Sequence, residues 1–157
     1  MAQPINKNIV NPPKPKKKLT TKANRIKQIK AKRKGSKEFG TSKLEEKFAK
    51  NFLDKLNVNY VYQYKVNAIG RFYDFKITDY PIYIEVDGDY YHGRGLIYED
   101  MSPMQKKNHK VDKIKNDYCS RNGYMLIRIW EHDINNHPDM VMKYLKEVLK
   151  PILNKEK

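Results

Sequence analysis

The chain contains a single cysteine, Cys119, among its 157 residues. One cysteine excludes an intrachain disulfide and any zinc site built from several cysteines, so no zinc is expected. No apolar run approaches the roughly 20 residues of a membrane span, and the first residues lack the apolar stretch of a secretory signal. We therefore expect no membrane association, and a location in the cytoplasm of a bacterium or of a phage-infected cell.

Acidic residues are nearly missing from the first quarter of the chain. Residues 1–40 contain 13 Lys or Arg and one acid, whereas residues 41–157 contain 20 basic and 17 acidic residues. Most of the formal net charge of +15 therefore lies in the first segment. This segment also has too few apolar residues to form a core. We predict that residues 1–40 are a disordered basic arm and that residues 41–157 form one α/β domain.

A cation-rich arm binds nucleic acid by neutralising phosphates and releasing counterions. The alternative is a solvated tail that aids solubility. The residues predicted to contact nucleic acid are ten cations of the arm and two lysines of a later helix: Lys14, Lys16, Lys17, Lys18, Arg25, Lys27, Lys30, Lys32, Arg33 and Lys34, with Lys113 and Lys115.

Hydrophobic periodicity in the remaining chain predicts the order helix, three strands, helix, strand, helix. Ser42 and Glu45 form a capping-box pattern, in which each side chain would satisfy a free backbone N–H of the first helix. The run YMLIRIW, from residue 124, is typical of a strand that is buried on both faces. A helix between the third and fourth strands predicts that these two strands pair in parallel, after an antiparallel meander. The expected fold is a mixed four-stranded sheet flanked by helices. The predicted elements span about 43–56, 59–66, 72–77, 82–87, 105–121, 124–130 and the residues after 138.

Carboxylates are concentrated in the two strands between residues 72 and 87. Acids are costly to bury without a cationic partner, so Asp74, Glu85 and Asp87 need an explanation. Side chains alternate along a strand, which places Glu85 and Asp87 on one face. Asp74 lies on the preceding strand of the same hairpin. Two or three such carboxylates are typical ligands of Mg²⁺ or Mn²⁺, which would polarise a phosphate. The alternative is a set of surface ion pairs with nearby lysine and arginine residues.

Further polar residues follow these strands. His92 can transfer a proton to or from water or a leaving oxygen, although a lone histidine in a polar loop is often only a surface residue. Asp112 and Lys115 are three residues apart and share a helical face, either for function or as a solvated ion pair. The long loop from Gly88 to Pro103 holds tyrosines that either stack on bases or pack locally: Tyr90, Tyr91 and Tyr98.

Four blocks of sequence occur together in one order: DFKI from residue 74, YIEVDGDYYH from 83, VDKIKN from 111 and GYMLIRIWE from 123. This arrangement resembles the very-short-patch-repair endonucleases. It is also similar to the related homing-type nucleases of phages and bacteria, all within the PD-(D/E)XK nuclease superfamily. The resemblance covers about residues 42–135. It implies a restriction-endonuclease-like core that hydrolyses DNA phosphodiester bonds with Mg²⁺.

The resemblance also implies roles for individual residues. The expected metal ligands are Asp74, Glu85 and the backbone oxygen of Val86. The further catalytic positions implied by the resemblance, or expected to complete the cluster, are Glu45, Asp87, His92 and Asp112.

Two features depart from the pattern of this superfamily. Asp87 stands where the superfamily's acid–x–lysine pair has its lysine, so a lysine at the site would have to come from the helix, as Lys113 or Lys115. The loop after His92 and the end of the last strand also lack the cysteines of the mismatch-repair members. A homing-type nuclease is therefore expected rather than an enzyme specific for T:G mismatches.

The sequence as a whole predicts a metal-dependent DNA endonuclease, either a monomer or a homodimer. The alternative is a non-catalytic DNA- or RNA-binding protein on a nuclease fold, which the aspartate at position 87 favours. A third possibility is an accessory protein whose tail contacts packaged nucleic acid.

Overall fold

The computed structural model describes residues 42–154. The predicted basic arm, 1–40, with its ten cations from Lys14 to Lys34, lies outside the described residues. Within the described range the elements follow the predicted order. They are helix α1 (Lys43–Phe48), continued by a π-helical segment (Ala49–Leu53), strands β1 (Tyr60–Val66), β2 (Arg71–Ile77) and β3 (Ile82–Asp87), a 3-10 turn (Tyr98–Asp100), helix α2 (Pro103–Arg121), strand β4 (Met125–Trp130), and helices α3 (Glu131–Asn136), α4 (Pro138–Val148) and α5 (Lys150–Leu153).

The strands of residues 42–154 form one four-stranded sheet with the order β1-β2-β3-β4. Strand β2 pairs antiparallel with both β1 and β3. Strand β4 pairs in parallel with β3, from Ile82 opposite Met125 to Asp87 opposite Trp130. The parallel pair follows from the crossover through helix α2, because two strands joined at opposite ends must run in the same direction. The predicted mixed α/β fold is confirmed.

Helices cover both faces of the sheet. On one face, Phe48 of α1 and Leu145 of α4 belong to the same buried cluster as Phe75 of β2. On the other face, Cys119 of α2 packs with Tyr73 and with partners from the neighbouring strands. Burying a large apolar side chain of this kind contributes about 1.5–3 kcal/mol, so both faces stabilise the sheet.

Strand β3, rather than β4, is the strand buried along its whole length. The prediction that YMLIRIW is buried on both faces holds only in part, because β4 lies at an edge of the sheet. Ile127 and Ile129 are buried on one face, whereas Leu126 is only partly buried against the cluster on the α2 face. That face of β4 also carries Arg128, which is half-buried. An apolar run alone does not distinguish an edge strand from a central one.

The pairing of β1 with β2 is distorted beside Asp74. Tyr62 pairs with Phe75 and both pack towards α1, whereas Tyr64 pairs with Tyr73 and both belong to the cluster on the α2 face. Residues two apart on a regular strand share a face, so both strands exchange faces at this point. Gln63, opposite Asp74, has a φ of 51°, in the left-handed region that non-glycine residues rarely occupy. The distortion therefore lies directly opposite Asp74 in the sheet.

None of the helices between residues 42 and 154 combines the length and the apolar character that a membrane crossing requires.

Candidate metal and catalytic site

A pocket of about 220 Å³ opens where the β2–β3 hairpin meets helices α1 and α2. It gathers five of the six side chains predicted to be catalytic, and the residue predicted to bind metal through its backbone oxygen. Asp87 is absent from its lining. The lining residues are Glu45, Asp74, Glu85, Val86, His92, Asn108, Val111, Asp112 and Lys115.

Asp74 and Glu85 hold the end of the β2–β3 hairpin through their side chains. Regular backbone pairing between these strands joins Phe75 to Ile84. Past that pair, the backbone N–H of Asp74 donates to Glu85 Oε1 at 3.2 Å, and the backbone N–H of Val86 donates to Asp74 Oδ2 at 2.7 Å. Each carboxylate therefore takes the place of a backbone acceptor on the opposite strand.

Three acids of the pocket, Glu45, Asp74 and Glu85, lie in an environment that disfavours their charged forms. Burial raises the pKa of Asp74 well above its ordinary value, and the nearby carboxylates of Glu85 and Glu45 raise it further. Burial also raises the pKa of Glu85, although Lys115 opposes this effect. A bound cation would relieve both the repulsion and the cost of burial. The donor set, carboxylate oxygens with a nearby backbone carbonyl, fits a hard divalent ion such as Mg²⁺.

Glu45 reaches the pocket from helix α1. The Ser42 hydroxyl caps the helix by accepting from the Glu45 backbone N–H at 3.5 Å. The other half of the predicted capping box is wrong, because the Glu45 carboxylate accepts hydrogen bonds from the Tyr62 hydroxyl and from Gln63 Nε2 instead. Gln63 Nε2 also lies 3.5 Å from Asp74 Oδ1, which connects Glu45 to the β2–β3 hairpin. Burial raises the pKa of Glu45 despite these hydrogen bonds.

His92 and Asp112 form a close pair on the other side of the pocket. His92 Nδ1 lies 2.7 Å from Asp112 Oδ2, and His92 Nε2 lies 3.7 Å from Asp87 Oδ1. Burial lowers the pKa of His92, but the hydrogen bond to Asp112 and the charge of Asp87 prevail and raise it above its ordinary value. Burial likewise raises the pKa of Asp112, but the contact with His92 and the charge of Arg128 prevail and lower it. The imidazole is thus held between two carboxylates.

Asp87 shares a face with Glu85 but binds a different partner. It is only 2% exposed, and both of its oxygens accept from Arg128 Nη1, at 2.7 and 2.8 Å. Sequence reasoning missed Arg128. The available signal was a lone charged residue in the apolar run of β4, because such a residue needs an acidic partner when it is covered.

Of the two lysines considered from the sequence, Lys115 lies at the site. Its Nζ is 2.7 Å from Glu85 Oε2, and the two side chains are 12% and 4% exposed. Lys113 instead pairs with Asp117 on the exposed side of helix α2. The nucleic-acid contacts of both lysines stay predictions.

Two other groups of metal-ligating side chains occur within residues 42–154. In each group, three ligand atoms lie within 4.8 Å of one another. The first contains two carboxylates that already contact the guanidinium of Arg128. The second lies at the junction of α3 and α4, and none of its members lines the pocket. The groups are Asp87, His92 and Asp112, and His132, Asp133 and His137.

The tyrosines of the loop stand beside the site with exposed rings. Tyr90 is 67% exposed and Tyr91 is 58% exposed. Helix α2 holds the backbone beneath them, because Gln105 Nε2 donates to the Tyr90 carbonyl at 2.6 Å and Asn108 Nδ2 donates to the Tyr91 carbonyl at 2.9 Å. The loop therefore presents two aromatic rings to solvent from a fixed backbone.

The chain is similar to a type II nicking enzyme, V.HpaIIP, of Haemophilus parainfluenzae, with 27% identity over 88 residues. The match covers 50% of this chain and spans 60% of the length of that enzyme. No protein family matches the chain, and neither does any solved structure. A distant, partial relative of this kind is consistent with a nuclease of the restriction-endonuclease-like type.

Proposed function

We propose that the protein is a metal-dependent DNA endonuclease of the homing or repair-like kind, which hydrolyses phosphodiester bonds. One observation carries the proposal: acids from a helix and two strands meet a histidine–aspartate pair in a single pocket. The similarity to a nicking enzyme supports the same class of reaction and suggests DNA as the substrate.

The carboxylates of Asp74 and Glu85, with the carbonyl of Val86, would hold Mg²⁺ or Mn²⁺. When bound, such an ion polarises the scissile phosphate and lowers the pKa of a bound water. Lys115 Nζ lies 2.7 Å from Glu85 Oε2, so this lysine would serve in place of the one missing from position 87. Glu45, which accepts from Gln63 of β1, would position a second water at the edge of the same pocket.

His92 is the proton-transfer group. Its contact with Asp112 keeps a proton on Nδ1, so Nε2 is the nitrogen left for proton exchange. Nε2 lies 3.7 Å from Asp87 Oδ1, beyond hydrogen-bond distance, and is therefore not held by that carboxylate. As a neutral imidazole it takes a proton from the attacking water, and as imidazolium it gives one to the leaving oxygen. Asp112 also stabilises the charged form, as the raised pKa of His92 indicates.

DNA contacts would come from several parts of the chain. The basic arm supplies affinity that does not depend on sequence. The exposed rings of Tyr90 and Tyr91 lie beside the pocket and can stack on bases.

The test is incubation of the purified protein with supercoiled plasmid and with bacterial genomic DNA, in Mg²⁺, in Mn²⁺ and in EDTA. Asp74→Asn is the variant expected to be inactive, because it removes the charge of a proposed metal ligand. Asparagine keeps an oxygen that can accept from the Val86 N–H, so the hairpin should be preserved. Asp117→Asn, an exposed change on helix α2, is the matched control. We expect nicked or linear product with either metal, none in EDTA, full activity in the control and none in Asp74→Asn. Equal cleavage by Asp74→Asn, or cleavage in EDTA, would contradict the proposal.

A second candidate is a non-catalytic DNA- or RNA-binding protein on this fold. The observation that favours it is Asp87, which stands in place of the superfamily's lysine and pairs with Arg128. Under this alternative neither substrate is cut in any metal, and wild type and Asp74→Asn bind nucleic acid equally in gel-shift titrations with and without Mg²⁺.

A further inference from the structure

The guanidinium of Arg128 uses all three of its nitrogens on polar partners around the pocket. Nη1 donates to both oxygens of Asp87, at 2.7 and 2.8 Å. Nη2 donates to Asp112 Oδ1 at 3.2 Å, and Nε donates to Asn116 Oδ1 at 3.1 Å. One side chain of β4 therefore connects an acid of β3 to two residues of helix α2.

Asp112 has two oxygens, and each contacts a different cationic or ionisable group. Oδ1 accepts from Arg128, and Oδ2 contacts His92 Nδ1 at 2.7 Å. The contact with Arg128 thus fixes the orientation of the Asp112 carboxylate. The contact with the other carboxylate oxygen then aligns the His92 imidazole. Asp112 belongs to a helix and His92 to a loop. The guanidinium, anchored on the sheet, therefore fixes the position of both residues relative to the strands that hold the proposed metal-site acids.

We propose that Arg128 is a positioning residue for the His92–Asp112 pair. The inference rests on the proposed function, in which His92 transfers the proton. Arg128 lines no part of the pocket, so it acts on His92 through Asp112. It also neutralises the two carboxylates that flank the imidazole, Asp112 at 2.7 Å and Asp87 at 3.7 Å.

A lysine cannot replace this arrangement. Its single ammonium has three donors at one point, whereas the planar guanidinium of Arg128 spreads its donors over Asp87, Asp112 and Asn116. Charge alone would be kept by Arg128→Lys, but the bridge between the two acids would be lost. This difference separates a positioning role from simple charge neutralisation.

The kinetic test is a double-mutant cycle of Arg128→Gln and Asp112→Asn, scored by cleavage on the substrate that wild type cuts. We expect Arg128→Gln to lower kcat by roughly 10–100-fold with KM for DNA unchanged, as is common when the partner of a site residue is removed. The double variant should lose little more than Asp112→Asn alone, because Arg128 acts on His92 through the Asp112 carboxylate, which is already lost. Arg128→Lys should resemble Arg128→Gln. Arg121→Gln, an exposed change near the end of helix α2, is the control.

Three kinetic results from these variants would overturn the inference: additive losses in the cycle, a loss confined to KM, or full activity of Arg128→Lys. Because Arg128→Gln leaves Asp87 buried without its cation, each variant is first checked by thermal melting. The pair Asp87→Asn with Arg128→Gln restores a neutral interior. Recovery of kcat in that pair would show that the role was only structural, and would also count against the inference.

A measurement without catalysis separates this inference from the proposed function. In ¹⁵N-labelled protein, the Nδ1–H proton of His92 should give a slowly exchanging, downfield imidazole signal in wild type and in Arg121→Gln. We expect this signal to be lost in Arg128→Gln. If wild type cuts no DNA, the proposed function fails, yet loss of the signal still supports the positioning of His92 by Arg128. Retention of the signal in Arg128→Gln would refute it whether or not the protein cleaves DNA.

Discussion

Replacing Lys115 with methionine removes the only ammonium group in contact with Glu85 within residues 42–154. Methionine keeps most of the apolar stem of the lysine and suits a helix, so the change isolates the charge. The pair is well covered, since the lysine side chain is 12% exposed and the glutamate side chain 4% exposed. Breaking a buried ion pair by removing one partner costs about 3–5 kcal/mol. For a domain of this size that corresponds to a fall in Tm of about 12–20 °C.

The loss should depend on pH in a definite direction. Burial holds the pKa of Glu85 above its ordinary value, and Lys115 opposes that rise. Without the lysine the pKa of Glu85 rises further, so the folded variant takes up a proton at a higher pH than wild type does. The deficit in the free energy of unfolding is therefore full at high pH and shrinks as the pH falls. Mg²⁺ should reduce the deficit too, if it binds Glu85 in the pocket.

The assay is chemical and thermal unfolding of Lys115→Met from pH 5 to pH 9, with and without Mg²⁺. Lys113→Met is the matched control, because it lies on the same helix and its pair with Asp117 is largely exposed, at 71% and 44%. Exposed pairs of this kind contribute about 0–1 kcal/mol, so the control should melt close to wild type. A deficit below about 1 kcal/mol in Lys115→Met, or one that grows as the pH falls, would refute the reasoning.

Three further predictions concern other parts of the chain. In pH–rate profiles of kcat/KM, Asp112→Asn should shift the inflection of His92 to lower pH, because it removes the carboxylate charge that helps to raise this pKa. An unchanged inflection would exclude His92 as the titrating group. Deletion of residues 1–40 should weaken DNA binding and reduce its dependence on salt, while the cleavage rate at saturating DNA stays the same. Unchanged affinity for DNA would contradict the predicted role of the arm. Gly93→Ala should lower the free energy of unfolding by about 1–3 kcal/mol, measured by denaturant titration, because φ is +63° and the new Cβ would lie 3.2 Å from a methionine methyl. Gly95→Ala has a similar φ but open space, so it should lose less.

Local patterns were sufficient for the element order and for the acids of the hairpin. Periodicity separates helices from strands, and a carboxylate such as Asp74 or Glu85 is conspicuous in an otherwise apolar strand. Helical spacing also held the information that distinguishes the two lysines. Lys115 is three residues from Asp112 and shares its face, whereas Lys113 is two residues from Lys115 and points elsewhere.

Pairings across the sheet could not be derived from the sequence in the same way. The partner of Asp87 is set by the parallel register that brings β4 beside β3, and no local pattern fixes that register. Glu45 has an adequate local partner in the capping box, yet its carboxylate binds Tyr62 and Gln63 of a strand. In both cases the partner is distant in sequence, so neighbouring residues alone do not identify it.

The hydrogen bonds that Asp74 and Glu85 accept from the opposite strand have a consequence for how such a chain can change over time. Both acids complete the sheet where regular backbone pairing has ended, so their loss weakens the fold even in a protein that cuts nothing. A descendant that abandoned cleavage would still be selected to keep acceptor oxygens at positions 74 and 85. Asparagine and glutamine are the replacements that keep those oxygens while removing the charge. Under the proposed function, relatives that carry them at these positions would have lost the chemistry and kept the architecture.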